Sequence, residues 1–309
     1  MKKQRQQFAD TMHALGQQDG DLTVLVGDIS HGILQEFASA CPGRYYNVGI
    51  CEPTIVNMAA GLSKVGLVPV IHTIAPFITE RSYEQIKLDF GYQKLPVNII
   101  SVGSAFDYSQ LGCSHHCYSD VSLFMHLKDS SVFMPGNAEE FDSLFRANYR
   151  NGRINYFRLS EQNHDVEVPK AKLELGEAVV VREGSDITVA VVGPMLQNVL
   201  TAVKTVVDGG IDAEVLYFPT IKPFDGVGLS RSVAKTKRLL TVEELSSHGG
   251  LYHSALGHCV GIAGLSCAQL AIFDFVRDYG THDELLEKAG LSDRHIVEAI
   301  LSLMRDKCS

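Results

Sequence analysis

Asn47-Val48-Gly49-Ile50-Cys51-Glu52-Pro53 joins a short extended run, Tyr45-Tyr46, to an apolar segment carrying Ile55, Val56, Met58, Ala59, Ala60 and Leu62. Extended run, glycine turn, helix is the order of a βα passage in a parallel sheet. Glu52 falls in the first turn of a helix that is apolar on one face. Read alone, it is an acid that complements the positive end of the helix dipole.

The same alternation continues on either side. Leu22 to Val26, Val68 to Thr73, Val97 to Val102 and Tyr156 to Leu159 read as short buried strands, with Pro69 near a strand start where it is tolerated. Helical patterns lie between them near Phe8–Gly16, Pro53–Gly66, Tyr83–Tyr92 and Ala138–Tyr149. From about Asn163 to Ser185 the chain turns charged and carries Pro169 and the turn Arg182-Glu183-Gly184-Ser185, which predicts a linker with an edge strand. Asp186 to Val192, Ala213 to Phe218, Leu239 to Val242 and Cys267 to Ile272 then read as strands among helices at Met195–Val207 and Gly249–Val260. Two amphipathic segments near Glu284 and Ile296 follow. The expectation is an α/β protein of two domains: a parallel-sheet domain over 1–165, a linker over 166–185, and a smaller α/β domain over 186–309.

Composition narrows the function. With 309 residues the chain can bury a sizeable core, and 45% hydrophobic with 20% charged residues is ordinary for a globular protein. A net charge of −9 without a Lys/Arg-rich run argues against nucleic acid. No apolar stretch reaches membrane-spanning length, and the basic start has no apolar run behind it. Seven scattered cysteines fit free thiols and a cytoplasmic location.

Three places invite chemistry. Thr73-Ile74-Ala75-Pro76-Phe77 ends a strand and opens a helix, so Phe77 is either core or an aromatic face for a planar ligand. Gly112-Cys113-Ser114-His115-His116-Cys117 has metal-binding residue types, but no second Cys/His pair follows, and no metal site is expected. His115 and His116 read instead as polar loop residues poised for hydrogen bonding or proton transfer. Glu243, Glu244 and His248 look like an acid–base cluster but are better read as stabilising the second domain. Arg158 is either structural or an anion ligand.

In order, these segments resemble the C-terminal half of transketolases, which many bacteria make as a separate subunit. Asn47-Val48-Gly49-Ile50-Cys51-Glu52 followed by Ala59-Ala60-Gly61-Leu62, Arg81-Ser82-Tyr83-Glu84-Gln85, Gly112-Cys113-Ser114-His115, Phe218 through Asp225, Val242-Glu243-Glu244 and Gly249-Gly250 carry the resemblance. It implies a pyrimidine-binding domain followed by a transketolase C-terminal domain, and thiamine diphosphate as cofactor. It also implies a partner. The diphosphate and its Mg²⁺ would be held by an N-terminal subunit with a G-D-G…N motif, which this sequence lacks, and two copies of each chain would assemble. By resemblance, Glu52 meets the cofactor's pyrimidine nitrogen and promotes the proton shift that activates it. Phe77 stacks on the ring, Ile74 takes the place of another aromatic, and Asp28 lies beside the cofactor near the subunit junction. His115 acts on the sugar substrate.

The departures from the family gather around the substrate. Arg5 is kept, but a loop Ser near Gly32 is lost and a His becomes Gly103. An Asp becomes Leu111, and an Arg becomes Glu161. An acid cannot help bind a phosphate dianion. The implied activity is therefore transfer of a two-carbon ketol unit to an acceptor other than a standard aldose phosphate, possible only with the partner subunit. Two alternatives stand beside it: the β subunit of a thiamine-dependent 2-oxo acid dehydrogenase or decarboxylase, and a non-catalytic regulatory relative.

Overall fold

A computed structural model describes residues 2–305. Its twelve strands are β1 (Leu22–Val26), β2 (Tyr45–Asn47), β3 (Val68–Ile74), β4 (Val97–Val102), β5 (Ser130–Phe133), β6 (Ile154–Arg158), β7 (Val179–Arg182), β8 (Ile187–Val192), β9 (Ala213–Phe218), β10 (Thr220–Lys222), β11 (Arg238–Ser246) and β12 (Ser266–Ile272). They form a seven-stranded sheet, ordered β10-β5-β6-β4-β3-β1-β2, and a five-stranded sheet, ordered β12-β11-β8-β9-β7. Every pairing is parallel except β10 with β5 and β7 with β9. Strands β1, β4, β5, β6, β8 and β9 are buried along their whole length. That burial on both faces is why β1, β8 and β9 are nearly continuous apolar runs.

The helix Glu52–Lys64 buries Glu52, Ile55, Val56, Ala59, Ala60 and Ser63, a stripe at helical spacing that packs on β3. Deeper in the first sheet, Phe124 stacks on Tyr156 and Phe133 on Phe157, with ring centroids 4.2 and 4.1 Å apart.

Several features depart from the sequence expectation, among them the helices Gln35–Ala40 and Gly226–Thr236, which it did not include. The helix Asp120–His126 and strand β5 have no counterpart in it, because both are short and carry no clear period. The helix expected over Tyr83–Tyr92 is a single turn, Tyr83–Gln85, followed by a π-helical stretch, Ile86–Tyr92. Strand β10, which follows β9 of the five-stranded sheet directly, crosses to the other sheet and closes the edge of β5. An uncovered edge of that kind is open to unwanted pairing.

Polar contacts reinforce the junction of the two sheets. Tyr217 Oη donates to Glu140 Oε2 at 2.6 Å, and Ser246 N donates to Tyr118 O at 2.6 Å. Arg158, left open by the sequence, is structural. It is buried, pairs with Asp120 at 2.8 Å, and donates to the carbonyls of Cys117 and Glu244. Glu243 accepts the N–H groups of Leu251 and Tyr252 at the start of the helix Leu251–Cys259. His282 meets Glu244 at 2.9 Å. Burial works against charge on that imidazole, but the Glu244 carboxylate outweighs it and the pKa rises to about 9.

A raised folded-state pKa gives stabilisation that is complete below the unfolded value, about 6.5, and lost as pH climbs through the folded one. Urea unfolding should therefore show stability declining between pH about 6.5 and 9, by on the order of 2 kcal/mol. His282→Gln should flatten that decline, and an unchanged slope in the variant would assign it to another group.

Candidate active site

Asn47 braces the turn that delivers Glu52. Its Oδ1 accepts from Asp28 N at 3.0 Å and Gly49 N at 3.1 Å, and its Nδ2 donates to Asp28 Oδ1 at 3.1 Å. Gly49 sits at φ +81°, where a side chain would be strained. Asp28 is exposed and itself left-handed, at φ +54°. The loop after β1 and the turn before the helix are thereby held as one piece.

Glu52 is only 1% exposed. Its Oε2 accepts from Arg81 Nη1 at 2.9 Å, while Oε1 makes no hydrogen bond among the described residues. The Arg81 guanidinium also lies over the Phe77 ring, 4.3 Å from its centroid. Phe77 in turn meets His115 edge-on at 5.2 Å, and His115 lies 6.3 Å from Tyr108. The structure thus brings Glu52, Phe77 and His115 into one contiguous arrangement. It adds Arg81 and Tyr108, which the sequence reading gave no role. The signal for Arg81 was there in Arg81-Ser82-Tyr83-Glu84-Gln85. Its reach back to Glu52 was not.

The paired histidines separate. Ser114 Oγ lies 3.0 Å from His115 Nδ1, in the half-exposed loop. His116 is buried edge-on against Phe106, so it is not the polar loop residue expected, and burial lowers its pKa. Among the described residues no cluster of three or more His, Cys, Asp or Glu is placed to hold a metal ion. Ile74 ends β3 and packs partly buried against the core, three residues before Phe77.

The positions expected on the substrate side have specific surroundings. Arg5 Nε donates to Ser30 Oγ at 2.7 Å, and Ser30 Oγ lies 2.7 Å from His72 Nε2. His72 Nδ1 faces the Ile100 carbonyl at 3.0 Å, so Nδ1 carries the proton and Nε2 accepts from Ser30. Burial drives the His72 pKa down to about 3, and the nearby Arg5 charge adds to the shift, so the ring is neutral. The terminal nitrogens of Arg5 make no hydrogen bond among the described residues.

Glu161 is not the bare acid its sequence position suggested. Its carboxylate pairs with Lys3 at 2.6 Å, so this position offers neither the family's positive charge nor an unpaired negative one. Its backbone N–H donates to Asp107, a carboxyl that burial and Glu244 push up to about 6. Leu111 is 54% exposed on a short 3₁₀ turn. Gly103, at φ +75°, leaves room for Tyr108: a Cβ there would lie 2.3 Å from the ring.

Residues 2–166 match the family described as transketolase, pyrimidine binding domain, and residues 176–296 match transketolase, C-terminal domain. The 6-deoxy-6-sulfo-D-fructose transketolase subunit SqwH of Clostridium sp. (strain MSTE9) is 29% identical over 298 residues, covering 96% of this chain and 92% of that protein. An apulose-4-phosphate transketolase subunit of Phocaeicola vulgatus is 29% identical over 255 residues, 80% of each chain. A solved structure titled "Split gene transketolase, inactive beta4 tetramer" superposes with a TM-score of 0.87 at 29% identity, over 97% of each chain.

The packing of Tyr108 into the space at Gly103 is directly measurable. Gly103→Ala should cost about 2–4 kcal/mol in urea unfolding, from left-handed strain plus overpacking. In a Tyr108→Ala background only the strain, about 1–2 kcal/mol, should remain. Equal costs in both backgrounds would mean that Tyr108 does not fill that space.

Proposed function

This chain belongs to the transketolase family, and we propose that within it the chain is the pyrimidine-binding subunit of a split, thiamine diphosphate-dependent transketolase. The observation that carries the reading is the Glu52 carboxylate, buried with one oxygen unengaged and linked through Arg81 to the Phe77 ring. One acid for a ring nitrogen and one aromatic face for stacking suit an aminopyrimidine. Nothing in the chain suits the other end of the cofactor: there is no G-D-G…N sequence. The diphosphate and Mg²⁺ are therefore assigned to a partner subunit, in an assembly of two copies of each chain. The naming of similar proteins as transketolase subunits supports a division of this kind.

When bound, the cofactor supplies the electron sink that lets a ketose break its C2–C3 bond and pass C1 and C2 to an aldehyde. Glu52 holds the pyrimidine nitrogen and shares a proton with it. Phe77 fixes the ring plane, with Ile74 and Asp28 at the margins of the cofactor site. His115, next to Phe77, moves a proton at a sugar hydroxyl during bond cleavage and formation. Neutral His72 buttresses Ser30 and through it holds Arg5 in place.

The acceptor side is rebuilt. Gly103 with Tyr108, exposed Leu111 and the Lys3–Glu161 pair replace charged or polar groups of the family. Lys3 is paired with Glu161, and Arg5 keeps its terminal nitrogens unengaged among the described residues. The acceptor is accordingly a sugar that is not held mainly by a phosphate. Similar proteins are named for 6-deoxy-6-sulfo-D-fructose and for apulose 4-phosphate, so the sugar varies among such chains. The six described cysteines are free, which supports placing the reaction in the cytoplasm; no described helix is long and apolar enough to cross a membrane.

The test is reconstitution with a chain carrying G-D-G…N. The pair should bind thiamine diphosphate and transfer a ketol unit, while Glu52→Gln should assemble normally and lose about 10²–10⁴ of the turnover. Unchanged turnover in that variant rejects the assignment. D-Ribose 5-phosphate should be a weak acceptor, with KM above about 1 mM, the upper end of common values. A micromolar KM would refute the rebuilt acceptor site.

A further inference from the structure

The loop that carries His115 is not held by the first sheet's own elements alone. After β12 the chain runs through residues 273–281 without regular structure before the helix His282–Lys288. This strap lies against the His115 loop. Phe275 meets Tyr118 with ring centroids 6.2 Å apart. Tyr279 reaches Gly112: a Cβ on that glycine would lie 2.5 Å from Tyr279 Cε1, 2.8 Å from Cζ and 2.9 Å from Oη.

Gly112 is the root of the turn that presents His115. Its carbonyl accepts from His115 N at 2.9 Å and from His116 N at 3.1 Å, and its φ of +74° is open to glycine at least cost. The glycine is thus required twice, by its own backbone and by the tyrosine seated on it. The strap is anchored on both sides of Tyr279. Phe275 holds one side. On the other, Thr281 and Glu284 form a reciprocal cap and His282 pairs with Glu244.

Tyr279 nevertheless remains 67% exposed, and its hydroxyl makes no hydrogen bond among the described residues. Leu111, the residue before Gly112 in the chain, is exposed as well. An exposed, uncharged hydroxyl without a partner, seated on the turn that carries His115, is of the kind that meets a sugar hydroxyl rather than a phosphate.

We propose that Tyr279, supplied by the second sheet's unit, is a specificity-determining residue for the acceptor: its ring seats the turn that carries His115, and its hydroxyl bonds a hydroxyl of the incoming sugar. This rests on the ketol-transfer reading. It gives the C-terminal part of the chain a place at the acceptor side of the site.

Two measurements test it with the full chain. In the reconstituted pair, with hydroxypyruvate as donor and unphosphorylated D-erythrose or D-ribose as acceptor, Tyr279→Phe should raise acceptor KM about fivefold, as for one lost hydrogen bond. The donor KM should stay within about twofold, and Tyr279→Ala should raise acceptor KM further. Independently of turnover, Tyr279→Ala should speed hydrogen exchange in residues 112–117, and Tyr279→Phe should not. An unchanged acceptor KM in both variants, or donor and acceptor KM rising together, overturns the assignment. If the wild-type pair transfers no ketol unit, the ketol-transfer reading fails first, and the exchange data still report whether Tyr279 seats the turn.

Discussion

A carboxylate almost wholly withdrawn from water governs this structure. An ionised acid in such a place is costly unless charge and hydrogen bonds meet it. At Glu52 the compensation comes from two directions: the first turn of the helix Glu52–Lys64, whose dipole favours negative charge, and the Arg81 guanidinium at 2.9 Å. Much around it follows. Asn47 and Gly49 set the entry into the helix, Arg81 lies across Phe77 as it reaches back, and Phe77 in turn abuts His115. The contacts therefore run from an acid suited to a ring nitrogen to a histidine suited to a sugar, through side chains from three separate segments.

The region around Gly103, Gly112 and Glu161 obeys a different constraint, in which shape counts for more than charge. Gly103 and Gly112 both sit at positive φ, and each has a tyrosine packed where a side chain would stand. Tyr108 comes from the same sheet unit, Tyr279 from the other. At Glu161 the charge is cancelled by Lys3 instead of being left to face the site. The result is a region built from aromatic rings, a leucine and a neutralised ion pair, with Arg5 held off to one side by Ser30 and the neutral His72.

The two sheets are joined by more than contact. Strand β10 is donated across the junction, Arg158 and Asp120 sit buried beneath it, and the His282–Glu244 pair holds the strap that reaches the His115 loop. Such a junction transmits position, so a residue late in the chain can bear on chemistry near its start. Periodicity cannot anticipate this. β10 is three residues long, and its partner β5 is four. Elements so short owe their existence to the neighbours they pair with rather than to local preference.

What local physics controls was legible in the chain alone. Apolar runs bounded by turns marked the central parallel strands, helical spacing marked the Glu52–Lys64 helix, and the glycine turn before it put Glu52 at a helix start. The chain also carried the types and order of residues by which the family is recognised. Whatever depends on who meets whom was settled by the folded packing. It paired Arg81 with Glu52, cancelled Glu161 with Lys3, buried His116 while leaving His115 at the site, and laid Tyr279 on Gly112. Those meetings join residues from about 30 to more than 160 positions apart, and neither hydrophobic period nor turn chemistry extends that far. Only the closed fold brings such groups within hydrogen-bond range.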